Sequence, residues 1–297
     1  MKISALRVDP DRPFRWKEHD PRDKCGFTDR ADSERQLAAD VEKMIELQDV
    51  FYADGRYGML IIIQGVDAAG KDGIVKHVMA GLNPAGVNVY SFRSPSAEER
   101  THDYLWRTEH VVPPRGRIAI FNRSYYEEVL VVRVHPEFID AERLPPNYVG
   151  AHLWQQRFQQ IVDYERYLTH QGIAVLKFFL HLSREEQFER LLERINDPDK
   201  NWKFSPSDLE TPQHWHKYRD VYDEMLYHTS SHHAPWYVIP ADRKWVARLA
   251  VANIIVDHMK KLDLQYPKTS PADTERLATA KTYIESEMNR LKASVSS

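Results

Sequence analysis

The sequence of 297 residues has a single cysteine, Cys25, so it cannot build an internal disulfide framework and suits a reducing compartment. It has no apolar run long enough to cross a bilayer. The longest, "MLIII" at 59–63 and "LAVANIIV" at 249–256, fall well short of the roughly 20 residues required. It also lacks a basic excess. Lys and Arg number 41 against 44 Asp and Glu, a net charge of −3, which argues against a protein that coats nucleic acid; any polyanion must be held by a local basic patch. No charged-then-apolar leader opens the sequence, and the expected compartment is the cytoplasm, with no membrane partner. Repeats, low-complexity tracts and clear linkers are missing, and no nucleophile–histidine–acid arrangement stands out. Two histidine groups, His214/His216 and His228/His232/His233, have no cysteine partner and no H-E-x-x-H pattern, so they read as helix-face or loop residues. What remains is an ordinary globular composition, 42% hydrophobic and 29% charged.

Apolar runs alternate with helical patterns along the chain. Residues 1–33 are polar, without sustained period, and read as an irregular arm laid on the surface. A helix is expected from Ser33, then strands at "MLIIIQ" (59–64), "VNVYSF" (87–92), "RIAIF" (117–121), "AVLKFFLHL" (174–182) and "WYVIP" (236–240). Helices are expected after the first strand, over 96–109, around 147–170, over 242–262 and over 272–292. Strands separated by helices imply right-handed crossovers and a parallel sheet covered on both faces, an α/β fold in a single domain spanning 1–297. The stretch 183–232 does not fit the sheet and reads as a helical lid. Between 177 and 203 stand six basic residues (Lys177, Arg184, Arg190, Arg194, Lys200, Lys203) and six acidic ones, a balance that composition alone would assign to a solvated face.

The stretch "GVDAAGKDG" (65–73) fits G-x-x-x-x-G-K between an expected strand and an expected helix, the context a phosphate-binding loop needs. Gly65, Ala68, Ala69, Gly70, Lys71 and Asp72 are the expected phosphate-binding positions. Backbone N–H groups cradle phosphate oxygens there, and Lys71 reaches the phosphoryl group in transfer. The residue after the lysine is normally a Ser or Thr whose hydroxyl binds Mg²⁺, but here it is Asp72. The metal duty then falls elsewhere, with Asp67 the obvious carboxylate for a hard cation. Asp72 reads equally well as a helix-start acid favoured by the dipole.

At the end of the third strand, where open α/β sheets place their ligands, stands "RIAIFNRSYYEEVLVVRVHP" (117–136). Asn122 occupies the place where the second strand motif of a phosphate-loop protein usually delivers an Asp, so Glu127 or Glu128 is expected to supply the missing charge. Arg123 and Arg133 are candidates for neutralising phosphate.

Taken in order, "GVDAAGKDG", "LNPAGV" (82–87), "PSAEE…HDYLWR" (95–107), "FNRSYYEEVLVVRV" (121–134), "DPDKNWKFSPSD" (197–208) and "APWYVIPADRKW" (234–245) resemble the polyphosphate kinase 2 family over roughly residues 35–262. The resemblance implies a P-loop kinase core similar to thymidylate kinases, with a helical lid over about 183–232 and a terminal helix over about 270–297. It implies Mg²⁺-dependent phosphoryl transfer, with Mn²⁺ able to replace Mg²⁺, between inorganic polyphosphate and AMP, ADP or ATP. "FNRSYYEEVL", in place of the "FDRSWYNR" type, looks like the subgroup that phosphorylates both AMP and ADP, with Asn122 and Glu127 bearing on acceptor choice. Asp67, Lys71, Arg123 and Glu128 are then the expected catalytic residues, Asp67 and Glu128 the metal ligands. Arg133 and the lid residues Arg190, Arg194, Lys200 and Lys203 are expected on polyphosphate. A homo-oligomer is also implied. Two rivals share the glycine loop: a nucleoside monophosphate kinase with ATP as donor, and a nucleotide sensor without turnover. Activity with polyphosphate alone separates the first, and binding without turnover would mark the second.

Overall fold

All five expected runs are strands in the structure, a computed structural model that describes residues 2–295. They are β1 (Gly58–Gln64), β2 (Val87–Ser91), β3 (Ile118–Asn122), β4 (Ile173–His181) and β5 (Trp236–Pro240). Every pairing is parallel and the order is β2-β3-β1-β4-β5. β1, flanked on both sides, is buried along its whole length, whereas the edge strand β2 is largely exposed. That difference is why β1 is an unbroken apolar run and β2 carries Asn88 and Ser91.

The helices follow the same logic. α1 (Arg30–Asp54) starts where the Asp29 side chain accepts the Asp32 N–H. α2 (Lys71–Val78) leaves the glycine loop, and α3 (Leu153–His170) leads into β4. α4 (Arg184–Asn196) is capped by Ser183, which accepts the Glu186 N–H, and α5 (Trp215–Thr229) precedes β5. α6 (Lys244–Lys261) buries Val246, Leu249, Ala250, Ile254, Ile255 and Met259 among others, so apolar residues nearly encircle it. α6 packs on α1 and α2, and α3 packs on α5. The chain divides into two compact units, Met1–Leu264 and Gln265–Ser297; the sheet and lid region lie in the first, and α7 (Pro271–Val295) in the second.

Three local expectations change. The helix expected over 96–109 is a 3₁₀ turn at Glu99–Thr101 and a one-turn helix at Trp106–Glu109. The Asp103 carboxylate accepts the Leu105 N–H, a local bond that competes with helix. The arm is not merely laid on the surface. Leu6, Val8 and Phe14 are buried in the core, and the Val8 and Val238 N–H groups bond across to Trp236 and Leu6. Lys177, grouped above with the lid charges, lies inside β4 and is fully buried.

Candidate active site

The register Ile63↔Asn122 sets the ends of β1 and β3 side by side, so the loop after β1 and the turn after β3 share one edge of the sheet. Gly65 opens the loop where only glycine fits, since a Cβ there would stand 3.0 Å from the Leu180 carbonyl oxygen. Ala68 (φ 63°) and Gly70 (φ 103°) take left-handed backbone, the kind of alternation that gathers N–H groups into an anion-binding concavity. No side chain caps the start of α2, which leaves its first N–H groups to a ligand. Lys71 is nearly buried and folds back, its Nζ donating to the Gly65 carbonyl at 2.7 Å and to Val66 at 3.1 Å. Burial, helped by the nearby Arg123 cation, lowers its ammonium to about 8.

Arg123, itself in left-handed backbone (φ 64°), reaches over the loop mouth. Its Nη2 donates to Asp67 Oδ1 at 2.5 Å and its Nη1 to Glu127 at 3.3 Å. The Thr211 hydroxyl donates to the other Asp67 oxygen at 3.1 Å. Burial opposes charge on Asp67, but Lys71, Arg123 and these hydrogen bonds outweigh it and hold the carboxyl below its ordinary range. Glu127 first, then Asp67, raises Arg123 further above its already high value. Asp72 forms a second bridge, accepting from Asn122 Nδ2 at 2.8 Å and lying 3.7 Å from Lys203 Nζ. It is therefore a link between the sheet edge and the lid rather than a bare helix-start acid.

Glu127 and Glu128 part company. Glu127 joins the Arg123–Asp67 cluster, whereas Glu128 is buried against Arg107 (3.8 Å) and Arg157 (3.7 Å), with Glu142 bonded to the same Arg157. Burial and Glu142 push the Glu128 carboxyl up to about 7 against the pull of the two arginines. The structure thus does not bring Glu128 to Asp67, and the pairing expected for a metal falls apart at this residue. Among the described residues no three His, Cys, Asp or Glu side chains converge as a metal cage. A single charged carboxylate at the mouth of a phosphate loop still fits a hard cation, which completes its shell with phosphate and water oxygens.

The basic residues expected on polyphosphate divide as well. Arg190 is buried, and its guanidinium donates to the carbonyls of Ala68 (3.2 Å), Ala69 (3.0 Å) and Ala241 (2.6 Å). It braces the loop from α4. Arg194 holds Asp208 at 2.9 Å and so shapes the lid segment, Lys200 pairs with Asp197 at the surface, and Lys203 reaches Asp72 just after the loop lysine. Arg133 pairs with Glu224 at 2.5 Å over the rings of Trp154 and Phe158, one of its terminal nitrogens buried without a partner.

Behind the turn sits a buried node. Glu165 of α3 accepts from the Tyr125 hydroxyl at 2.9 Å and the Tyr126 hydroxyl at 2.7 Å, and Lys177 of β4 donates to it at 2.5 Å. Lys177 also donates to Tyr126 and to the Thr229 carbonyl. Tyr125 and Tyr126 follow Arg123 by two and three residues, so this node fixes the turn that presents it. Sequence reasoning missed Glu165, Gln187, Thr211 and the Arg107–Arg157 pair. For Glu165 one signal existed: a lone lysine inside an apolar strand requires a buried counter-charge.

A sequence description of the family "Polyphosphate kinase 2" matches residues 27–267. The chain is 49% identical over 243 residues to an "ADP-polyphosphate phosphotransferase" of Rhodopseudomonas palustris, covering 81% of this chain and 84% of that one. It is 41% identical over 271 residues to an "AMP/ADP-polyphosphate phosphotransferase" of Meiothermus ruber, covering 91% and 97%. A crystal structure of polyphosphate kinase 2 from Arthrobacter aurescens superposes with a TM-score of 0.82 at 38% identity, covering 93% of this chain and 95% of the other. The chain belongs to the polyphosphate kinase 2 family.

Proposed function

We infer that this protein transfers phosphoryl groups between inorganic polyphosphate and nucleotides, converting AMP to ADP and ADP to ATP in a reversible reaction. The observation that carries this reading is the loop mouth itself. Lys71, Arg123 and Lys203 converge there, each held for now by carbonyls or carboxylates of Gly65, Val66, Asp67, Asp72 and Glu127. Such cations are suited to receive phosphate. The acceptor oxygen already belongs to a phosphate whose second pKa is about 6, so the reaction calls for no general base. What it does call for is two polyanions brought in line with their mutual charge neutralised.

In this reading Lys71 leaves the Gly65 and Val66 carbonyls to contact the phosphoryl group in transfer, and Arg123 turns from Asp67 and Glu127 onto it. Asp67, freed on that side, is the carboxylate we assign to Mg²⁺, or Mn²⁺ in its place. When bound there, such a cation would supply positive charge against the mutual repulsion of the phosphates, with Asp67 as the residue that holds it. Lys203 draws the polyphosphate toward the loop. Asn122, an amide bonded to Asp72, lowers the negative charge at the mouth by one relative to an aspartate, and Glu127 tunes Arg123. These two residues bear on acceptor choice, on which the two named relatives differ: one is named for ADP alone, the other for AMP and ADP.

The protein is expected to work as a homo-oligomer in the cytoplasm, without nucleic acid or membrane as partner. Leu277, Ile284 and Met288 are exposed on α7, as a self-association surface would require. No helix among the described residues is long and apolar enough to cross a membrane.

The test uses purified protein, AMP, long-chain polyphosphate and Mg²⁺, with no ATP, and resolves the nucleotides over time. ADP followed by ATP supports the full reading, and ADP alone keeps the donor but removes the second acceptor. No product with polyphosphate, but turnover with ATP as donor, would replace the reading by the monophosphate-kinase rival.

A further inference from the structure

P-loops normally place a hydroxyl straight after the lysine, on the bound cation. Here that position is Asp72, already engaged with Asn122 and Lys203. A hydroxyl nevertheless reaches the site from the lid region. Thr211, in the one-turn helix Glu210–Gln213, is 4% exposed, and its Oγ1 donates to Asp67 Oδ2 at 3.1 Å. The opposite oxygen, Oδ1, is held by Arg123.

The Thr211 segment is itself fixed. Arg184 donates to the Pro212 carbonyl at 3.0 Å, and Arg194 holds Asp208, which in turn accepts the Ser205 N–H at 3.1 Å. A second lid-region residue grips the same aspartate by its main chain: the Gln187 amide nitrogen donates to the Asp67 carbonyl at 2.9 Å. Asp67 is therefore held at its backbone by α4, at one carboxylate oxygen by Thr211 and at the other by Arg123. Only Arg123 has a competing task, because it must turn toward the phosphoryl group. Once it does, the Thr211 hydroxyl is what keeps the carboxylate plane oriented.

We propose that Thr211 is a positioning residue that orients the Asp67 carboxylate from the lid, so that seating of the 205–213 segment sets the affinity of the site for a divalent cation. This rests on the assignment of Asp67 to the cation made above. It gives the lid a task besides gripping polyphosphate: the hydroxyl missing from the loop arrives 140 positions after the lysine.

The experiment measures Mn²⁺ binding by electron paramagnetic resonance, with ADP present, for the full-length wild type, T211V, T211A, T211S and D67N. Thermal melts of each are recorded in parallel. Loss of one charge-assisted hydrogen bond is expected to weaken Mn²⁺ by about ten-fold in T211V and T211A. T211S, which keeps the hydroxyl, is expected to stay within about three-fold of wild type. In turnover, the metal concentration giving half-maximal rate should rise by the same factor, with most of the lost rate recovered by added metal. A merely structural threonine would lower the melting temperature without this shift, and serine would not rescue it. Wild-type Mn²⁺ affinity in T211V and T211A, or T211S as weak as T211V, overturns the role of Thr211 alone. D67N binding Mn²⁺ as tightly as wild type overturns the Asp67 assignment and the proposal together.

Discussion

On the sheet-edge side of the turn after β3, Arg123 reaches Asp67 with its side chain 37% exposed; on the core side, Lys177 reaches Glu165 with neither side chain exposed at all. Both contacts are 2.5 Å long, and both hold the same few residues, Arg123 through Tyr126. They differ in what could replace them. Around Lys177 every donor has a protein partner, and no water or ligand can take over the role of Glu165. Around Arg123 the partners are two carboxylates at a solvent-accessible mouth, which a phosphate would displace in the proposed reaction. Length and charge therefore do not tell a structural ion pair from a functional one. Access for a competing anion does.

That contrast can be broken at either end. The largest effect is expected from Lys71→Ala or Asp67→Ala, each costing about a thousand-fold in kcat, the scale of one lost charge-stabilising group in a transition state. Thermal melts should show the fold intact. Near-normal turnover in either variant would remove the site from the loop.

The core end should give the opposite pattern. Glu165→Ala or Lys177→Met leaves a buried group unpaired and is expected to cost about 3–5 kcal/mol of stability in a denaturant titration. Whatever variant remains folded should still bind nucleotide. A loss of activity with unchanged stability would make the buried node part of the chemistry instead of its support.

A smaller effect sharpens the comparison at the lid. Lys203→Ala removes a contact between exposed groups, so stability should move by less than about 1 kcal/mol. The KM for polyphosphate should rise several-fold, and more at low salt than at high, because the contact is screened. A change confined to nucleotide affinity would remove Lys203 from the donor side.

The mildest test is pH. Lys71 carries its proton below about 8, so kcat/KM should fall as pH rises through that value, since this ratio reports groups of the free enzyme. Its folded pKa lies below the unbound value of 10.5, so between the two the unfolded chain binds the extra proton. This group's contribution to stability then rises with pH while activity falls. A decline in activity that tracks unfolding would point to another cause.

The sheet was legible because β1, β4 and β5 are largely buried and leave apolar runs, interrupted in β4 only by Lys177. The arm was not, since Leu6 and Val8 alternate about Arg7 over too short a stretch to mark a strand, yet both enter the core, as does Phe14. That Lys71, Asp67 and Arg123 gather at one sheet edge could be read from short local patterns beside two strand ends. The part played by Thr211 could not, because its partner Asp67 lies 144 residues earlier and nothing around a lone threonine points to it. The partners of Arg190 and Arg194 were not legible for a related reason: an arginine in a lid looks the same in sequence whether it faces a phosphate, a backbone carbonyl as Arg190 does, or a carboxylate as Arg194 does.

The most direct measurement is a crystal structure with ADP and a short polyphosphate bound. Arg123 is expected to leave Asp67 and Lys203 to leave Asp72, both for phosphate oxygens, while Lys177 and Glu165 stay paired. Ligand bound with the Arg123–Asp67 contact unbroken would contradict that expectation.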